Sequence, residues 1–205
     1  MRLSAHLLGA TSLTLLSTMA IAQEGERGRD EQLNIIYWQA PSILNPYLSG
    51  GVKERDASSM VLEPLANADE KGELVPKLAA EIPTVENGGM TEDLKTITWK
   101  LKEGVTWSDG TPLTAEDVKF TADYCMNPEG GCAQLSKFND VKEVEVIDDR
   151  TVTIHFDEPK PYPYLPFVGA ASPILQAAQF AECTGARAPG CTEENFNPIG
   201  SGPFV

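Results

Sequence analysis

Apolar positions fall into two periods along the chain. Thr96 to Leu101 (TITWKL) alternates, with Ile97, Trp99 and Leu101 on one face and Thr98 and Lys100 on the other, which predicts a half-buried strand. Val144 and Val146 alternate with Glu143 and Glu145, Asp148-Asp149-Arg150 turns the chain, and Thr151 to Phe156 sends Val152, Ile154 and Phe156 to one face: a hairpin. Gln32 to Trp38 (QLNIIYW) is rich in β-branched and aromatic residues and predicts a first strand, ended by a loop because residues before Pro41 and Pro46 avoid the helical region. Helical spacing follows Thr114-Ala115-Glu116-Asp117, a capping box with a shorter acid at its third position. Val118, Thr121, Ala122 and Cys125 then make one buried stripe.

Shorter signals fill in the rest. Arg55 to Leu62, stopped by Pro64, and Leu175 to Glu182 predict short helices. Asp69-Glu70-Lys71-Gly72 is a turn leading to a short extended or helical piece, Leu74 to Ala79, and Thr84-Val85 is expected to pair with Thr96–Leu101 across Gly88-Gly89. Four prolines between Glu158 and Pro166 make that stretch an extended connector, with Tyr162, Tyr164 and Phe167 expected to pack.

The two ends change the picture. Arg2, a mostly apolar run from Leu7 to Ile21 and the small residues of Ala20-Ile21-Ala22 have the form of a secretory signal peptide, residues 1–22, with cleavage after Ala22. Glu24 to Gln32 then reads as a mobile leader. Without residues 1–22 the balance is 15 basic against 30 acidic residues, or −15, which argues against nucleic acid and anionic membranes as partners. Composition is otherwise ordinary for one large or two small globular domains, at 205 residues, 41% hydrophobic and 22% charged.

Cysteine usage agrees with export. Cys125 with Cys132, and Cys183 with Cys191, each bracket a loop containing Gly and Pro, and an oxidising compartment favours two local disulfides. Closing loops this small stabilises by roughly 2–3 kcal/mol each in the chain-entropy account. The alternative, a four-cysteine zinc site, prefers two to four residues within each pair.

Trp99 to Val118 reads W-x-L-K-x-G-V-x-W-S-D-G-T-P-L-T-A-E-D-V, and as a whole string it resembles the signature of family 5 extracytoplasmic solute-binding proteins, the peptide-binding components of ABC importers. The D-E-x-G turn at Asp69, L-V-P-x-L-A at Leu74 and N-P-x-G-S-G-P-F at Asn197 match further family patterns, with Pro64 where Gly is more usual and Ser201 where Thr is usual. The resemblance implies an α/β, two-lobed periplasmic-binding-protein fold of type II with a family-specific β-rich subdomain, of which this chain would be the N-terminal portion. Residues 23–62 would begin lobe I, residues 63–182 would form the α+β subdomain, and residues 183–205 would return to lobe I. A monomeric periplasmic protein would then close two lobes over a peptide and deliver it to a membrane permease and ATPase.

Tyr47-Leu48-Ser49-Gly50-Gly51-Val52 reads by itself as a tight turn. The resemblance puts it on the cleft wall, with Ser49, Gly50, Gly51 and Val52 as ligand contacts and Trp38, Ser42, Gly200, Ser201 and Gly202 as further wall residues. In peptide-binding members a second-lobe acid meets the ligand's ammonium, and that position lies outside this chain. Other members carry nickel complexes, opines or oligosaccharides, so a non-peptide solute is the alternative. No enzyme, cofactor or metal is expected. His155 is the one histidine after residue 22, and no G-x-S-x-G elbow, P-loop or dinucleotide fingerprint occurs. Two further rivals are a secreted hydrolase with its catalytic residues elsewhere, and a peptide-binding chaperone or sensor on the same fold.

Overall fold

The computed structural model describes residues 35–204. The expected signal peptide, its cleavage site, the leader up to Gln32 and the start of the first expected strand lie outside the described residues. The remainder of that strand does not form: Ile35 to Trp38 is irregular and exposed, with no neighbouring strand among the described residues to take its backbone groups.

The centre of the unit from Tyr37 onward is a three-stranded antiparallel sheet, β3 (Thr96–Lys100), β5 (Thr151–Phe156) and β4 (Val141–Asp148), with β5 in the middle. A smaller hairpin precedes it, β1 (Ala66–Ala68) with β2 (Leu74–Pro76), closed by Asp69, whose carboxylate accepts the N–H of Lys71 and Glu73. Register follows the alternation: Ile97 opposes Ile154, Trp99 opposes Val152 and Val144 opposes Ile154. Those side chains are buried, whereas Thr98 and Thr153 pair across the other face with their hydroxyls 2.9 Å apart. Each fully buried side chain of this size adds about 1.5–3 kcal/mol of transfer free energy. Thr84-Val85 does not pair with β3. Asn87 ties Thr84 into a local turn by accepting its N–H; β3 instead meets Met90 through a single bridge at Ile97, and Ala79 bridges Leu101 just beyond the strand.

Helix α2 (Ala115–Met126) packs against β4 and β5, and its expected stripe of Val118, Thr121, Ala122 and Cys125 is buried. Its capping box forms between Thr114 and Asp117. The buried Asp117 carboxylate does more than cap: it accepts from Thr114 N–H (2.9 Å), Trp107 Nε1 (3.2 Å) and Ala177 N–H (2.9 Å). The motif residues Trp107 and Asp117 are thereby a joint between turn, helix and the segment after the connector.

The other helices are short and differ from expectation at their edges. α1 runs Val52–Ser58, not from Arg55 to Leu62, because Gly51 is already placed to accept the first helical hydrogen bond, from Arg55 N–H. Beyond Ser58 the chain continues as turns, and the carbonyls of Met60 and Val61 bond to residues 201–204. α3 is reduced to Ala177–Phe180, since Leu175 N–H is held by the Thr121 hydroxyl and the Gln176 side chain by Asp109. α4 (Thr192–Phe196) follows the second cysteine pair.

The connector from Glu158 to Pro166 is irregular, as its prolines require. Phe167 is fully buried and Tyr164 donates to Pro83 O at 2.7 Å, so both pack, but Tyr162 is exposed. Tyr47, Tyr124, Phe138, Phe167 and Phe180 form a chain of tilted and edge-to-face contacts that joins the turn at Tyr47 to α2. Both expected disulfides are present, Cys125–Cys132 and Cys183–Cys191. Glu194 lies near the second pair, but oxidised sulfurs are not thiolate ligands for zinc.

Candidate functional site

The expected ligand-facing residues gather around α1, in two groups. Ser49 to Val52 lies at its N-terminal end. Asn45 caps the 3-10 turn Pro46–Leu48 by accepting Tyr47 N–H, and Pro46 supplies a fixed φ at the first position. The chain then becomes extended through Ser49 and Gly51 before entering α1 at Val52.

Within this stretch the two glycines differ. A Cβ on Gly51 would lie 2.1 Å from Glu54 Oε2, because the Glu54 carboxylate folds back over the start of its own helix. Gly50 is exposed with open space around it, and its N–H and C=O have no hydrogen-bond partner among the described residues. A side chain at Gly51 would thus displace the Glu54 carboxylate, and Gly50 is the position at which another backbone can approach. Val52 is 48% exposed beside it.

Glu54 is only 2% exposed. It accepts from Ser42 N–H (3.1 Å) and Ser42 Oγ (2.7 Å), and it is paired with Lys53. Burial opposes its ionisation, but the hydrogen bonds from Lys53 and Ser42 outweigh that and bring its pKa down to about 2. Ser42 is thus oriented by Glu54. Trp38 is 72% exposed against Tyr37, whose hydroxyl donates to Asp56 of α1.

Gly200, Ser201 and Gly202 sit at the opposite end of α1. Ser201 and Gly202 N–H both donate to Val61 O (2.9 and 2.7 Å), Ser201 Oγ accepts from Glu63 N–H, and Gly200 exchanges hydrogen bonds with Ser108. Cβ atoms on Gly200 or Gly202 would come within 3 Å of the Val61 and Met60 carbonyls. These glycines are accounted for by chain packing. A seven-residue helix is about 10 Å long, so the two groups are neighbours without touching through α1.

An open pocket of about 390 Å³ lies between Ser42-Ile43 and the segment from Pro189 to Asn197. Sequence reasoning did not single out Asn45, Glu54 or Asn195, which hold this region together. The Asn45-Pro46 step is a local cap signal that could have been read. Glu54 and Asn195 carry no such signal: Glu54 reaches back across a loop to Ser42, and Asn195 meets Asn45 at a separation of 150 residues.

Residues 73–205 match the family model of the bacterial extracellular solute-binding proteins, family 5. The chain belongs to that family. Among curated relatives, the probable peptide ABC transporter periplasmic-binding protein y4tO of Sinorhizobium fredii is 30% identical, over 80% of this chain and 28% of its own length. Among solved structures, the oligopeptide-binding protein AppA of Bacillus subtilis, in complex with a nonapeptide, is 26% identical with a TM-score of 0.67, over 80% of this chain and 31% of that one. NikZ from Campylobacter jejuni, in complex with Ni(L-His), is 27% identical with a TM-score of 0.64, over 80% of this chain and 30% of that one. The family 5 chain described here thus spans about 30% of the length of these relatives. Its family is one of binding proteins rather than enzymes, and its fold is the mixed α/β fold of their N-terminal portion. No described helix is long and apolar enough to cross a membrane.

Proposed function

We propose that the full-length protein is the substrate-binding component of an ABC importer for peptides. It is exported to the periplasm by cleavage after Ala22 and works as a monomer. It closes two lobes over its ligand and hands it to a membrane permease driven by an ATPase. Residues 23–62 and 183–205 contribute to lobe I, and residues 63–182 form the subdomain beside it. The observation that carries the reading is the exposed Gly50 between the extended Ser49 and Gly51, its backbone groups without a partner among the described residues, in a chain of this family. An extended peptide pairs with such a segment through main-chain hydrogen bonds, whatever its side chains.

Native mass spectrometry of the full-length protein, purified from its own cells, tests this. A mixed set of retained short peptides is the expected result. A single metal chelate, opine or sugar would keep the transport role and replace the ligand. Turnover of added peptides would overturn the binding role itself.

A further inference from the structure

Two disulfide-closed loops converge on the turn Pro46–Leu48. On one side, Ala133 N–H, next to Cys132, donates to Tyr47 O (2.7 Å), and Gln134 Nε2 donates to Pro46 O (3.3 Å). On the other, Leu44 N–H donates to Asn195 O (2.8 Å), and Asn195 is itself bonded to Cys191 O and, through its side chain, to Ala188 O inside the second loop. The loops also meet each other, where Gly185 faces the Asn127 side chain.

Asn45 connects these parts. It is fully buried, and its amide makes three hydrogen bonds: Oδ1 accepts Tyr47 N–H (3.1 Å), while Nδ2 donates to Tyr124 Oη (3.0 Å) and Asn195 Oδ1 (2.9 Å). Tyr124 adjoins Cys125, and Asn195 uses both ends of its own amide. Capping the turn needs only the Oδ1 contact, and a serine would provide it. The two Nδ2 contacts reach residues 79 and 150 positions away and contribute nothing to the cap. A fully satisfied buried amide of this kind fixes one arrangement of the segments that it joins.

We infer that Asn45 is a positioning residue for ligand capture: with Tyr124 and Asn195 it locks the Pro46–Leu48 turn onto the two disulfide-closed loops, so that the extended stretch from Ser49 to Gly51 and the start of α1 at Val52 are held in place before the ligand arrives. The inference rests on the reading of Ser49–Val52 as ligand-facing. A segment ordered in advance does not have to be ordered by the ligand, and affinity gains what that ordering would cost.

The test uses the full-length protein with Asn45→Ser, Asn195→Ala and the double variant. Asn45→Ser keeps the cap and loses both long-range contacts, and Asn195→Ala removes one of them without touching residue 45. Two readouts are taken: amide hydrogen exchange across residues 46–52 against the β4–β5 hairpin, and affinity for a random-sequence peptide library. Expected are exchange at 46–52 roughly tenfold faster with the hairpin unchanged, affinity weaker by about tenfold, and a double variant close to the worse single. Unchanged exchange at 46–52 overturns the lock, and so does acceleration spread evenly over the hairpin. Unchanged affinity beside faster local exchange overturns the positioning role. If the wild-type protein takes up no peptide, the peptide-binding reading falls, and the exchange contrast alone decides whether the lock exists.

Discussion

In the β3–β5–β4 sheet and α2, the side chains facing inward are Ile97, Trp99, Val118, Ala122, Val144, Val152 and Ile154, all buried and joined mainly by contact. Around α1 the buried groups are Asn45, Glu54, Ser58 and Asn195, each held by hydrogen bonds. The first region is stabilised by area removed from water, a non-directional term that changes little with small displacements of any one side chain. The second depends on a few directional bonds, each of which leaves an unpaired polar group if its partner goes. A region built in this way is well suited to present a segment in one orientation.

Removing an anchor from the sheet gives the largest effect. Trp99→Ala empties a fully buried site and is expected to cost about 3–5 kcal/mol in denaturant unfolding. Asp117→Ala follows at about 3 kcal/mol, since it strands the Trp107 indole N–H and the N–H groups of Thr114 and Ala177. A cost below about 1 kcal/mol at Asp117 would mean that the joint is apolar after all.

The α1 region is read through acid. The Glu54 carboxyl lies below its ordinary value of 4.5, at about 2, so its contribution is complete above pH 4.5 and is lost as pH falls from there towards 2. The thermal midpoint of the wild-type protein should therefore fall more steeply across that window than that of Glu54→Gln. Parallel curves would remove Glu54 from the account.

The smallest effects separate the two glycines. Gly51→Ala should cost roughly 1–3 kcal/mol by displacing the Glu54 carboxylate. Gly50→Ala should leave unfolding within about 0.5 kcal/mol of wild type while weakening peptide binding. A Gly50 variant that binds normally would take the open glycine out of the site.

The sheet region was legible in the sequence because its signals are local: a period of two in TITWKL and TVTIHF, and a capping box four residues long. The family resemblance rested mainly on Trp99–Val118, which overlaps the end of TITWKL and the capping box, and Trp107 and Asp117 within it turn out to be a structural joint. The α1 region was not legible in the same way. Asn45 meets Asn195 at a separation of 150 residues and Tyr47 meets Pro173 at 126, and no period in the chain encodes such pairs. QLNIIYW misled for a related reason: strand propensity describes a surface that fits a neighbour, and none stands beside Ile35–Trp38 among the described residues. The start of α1 was set by the local helical bond from Arg55 N–H to Gly51 O, and that of α3 was displaced by tertiary hydrogen bonds to Thr121 and Asp109, against which local propensity is a weak prior.

The bonds from Ser201 and Gly202 to Val61 also bear on how the protein is made. A ribosome that has just finished Val61 must add about 140 more residues before the groups that complete this end of α1 exist, which takes roughly 7–28 s at ordinary elongation rates. Throughout that interval the first-made segment has an unfinished neighbour. The carbonyls of Met60 and Val61, though made early, are thus among the last of the described backbone groups to find their partners.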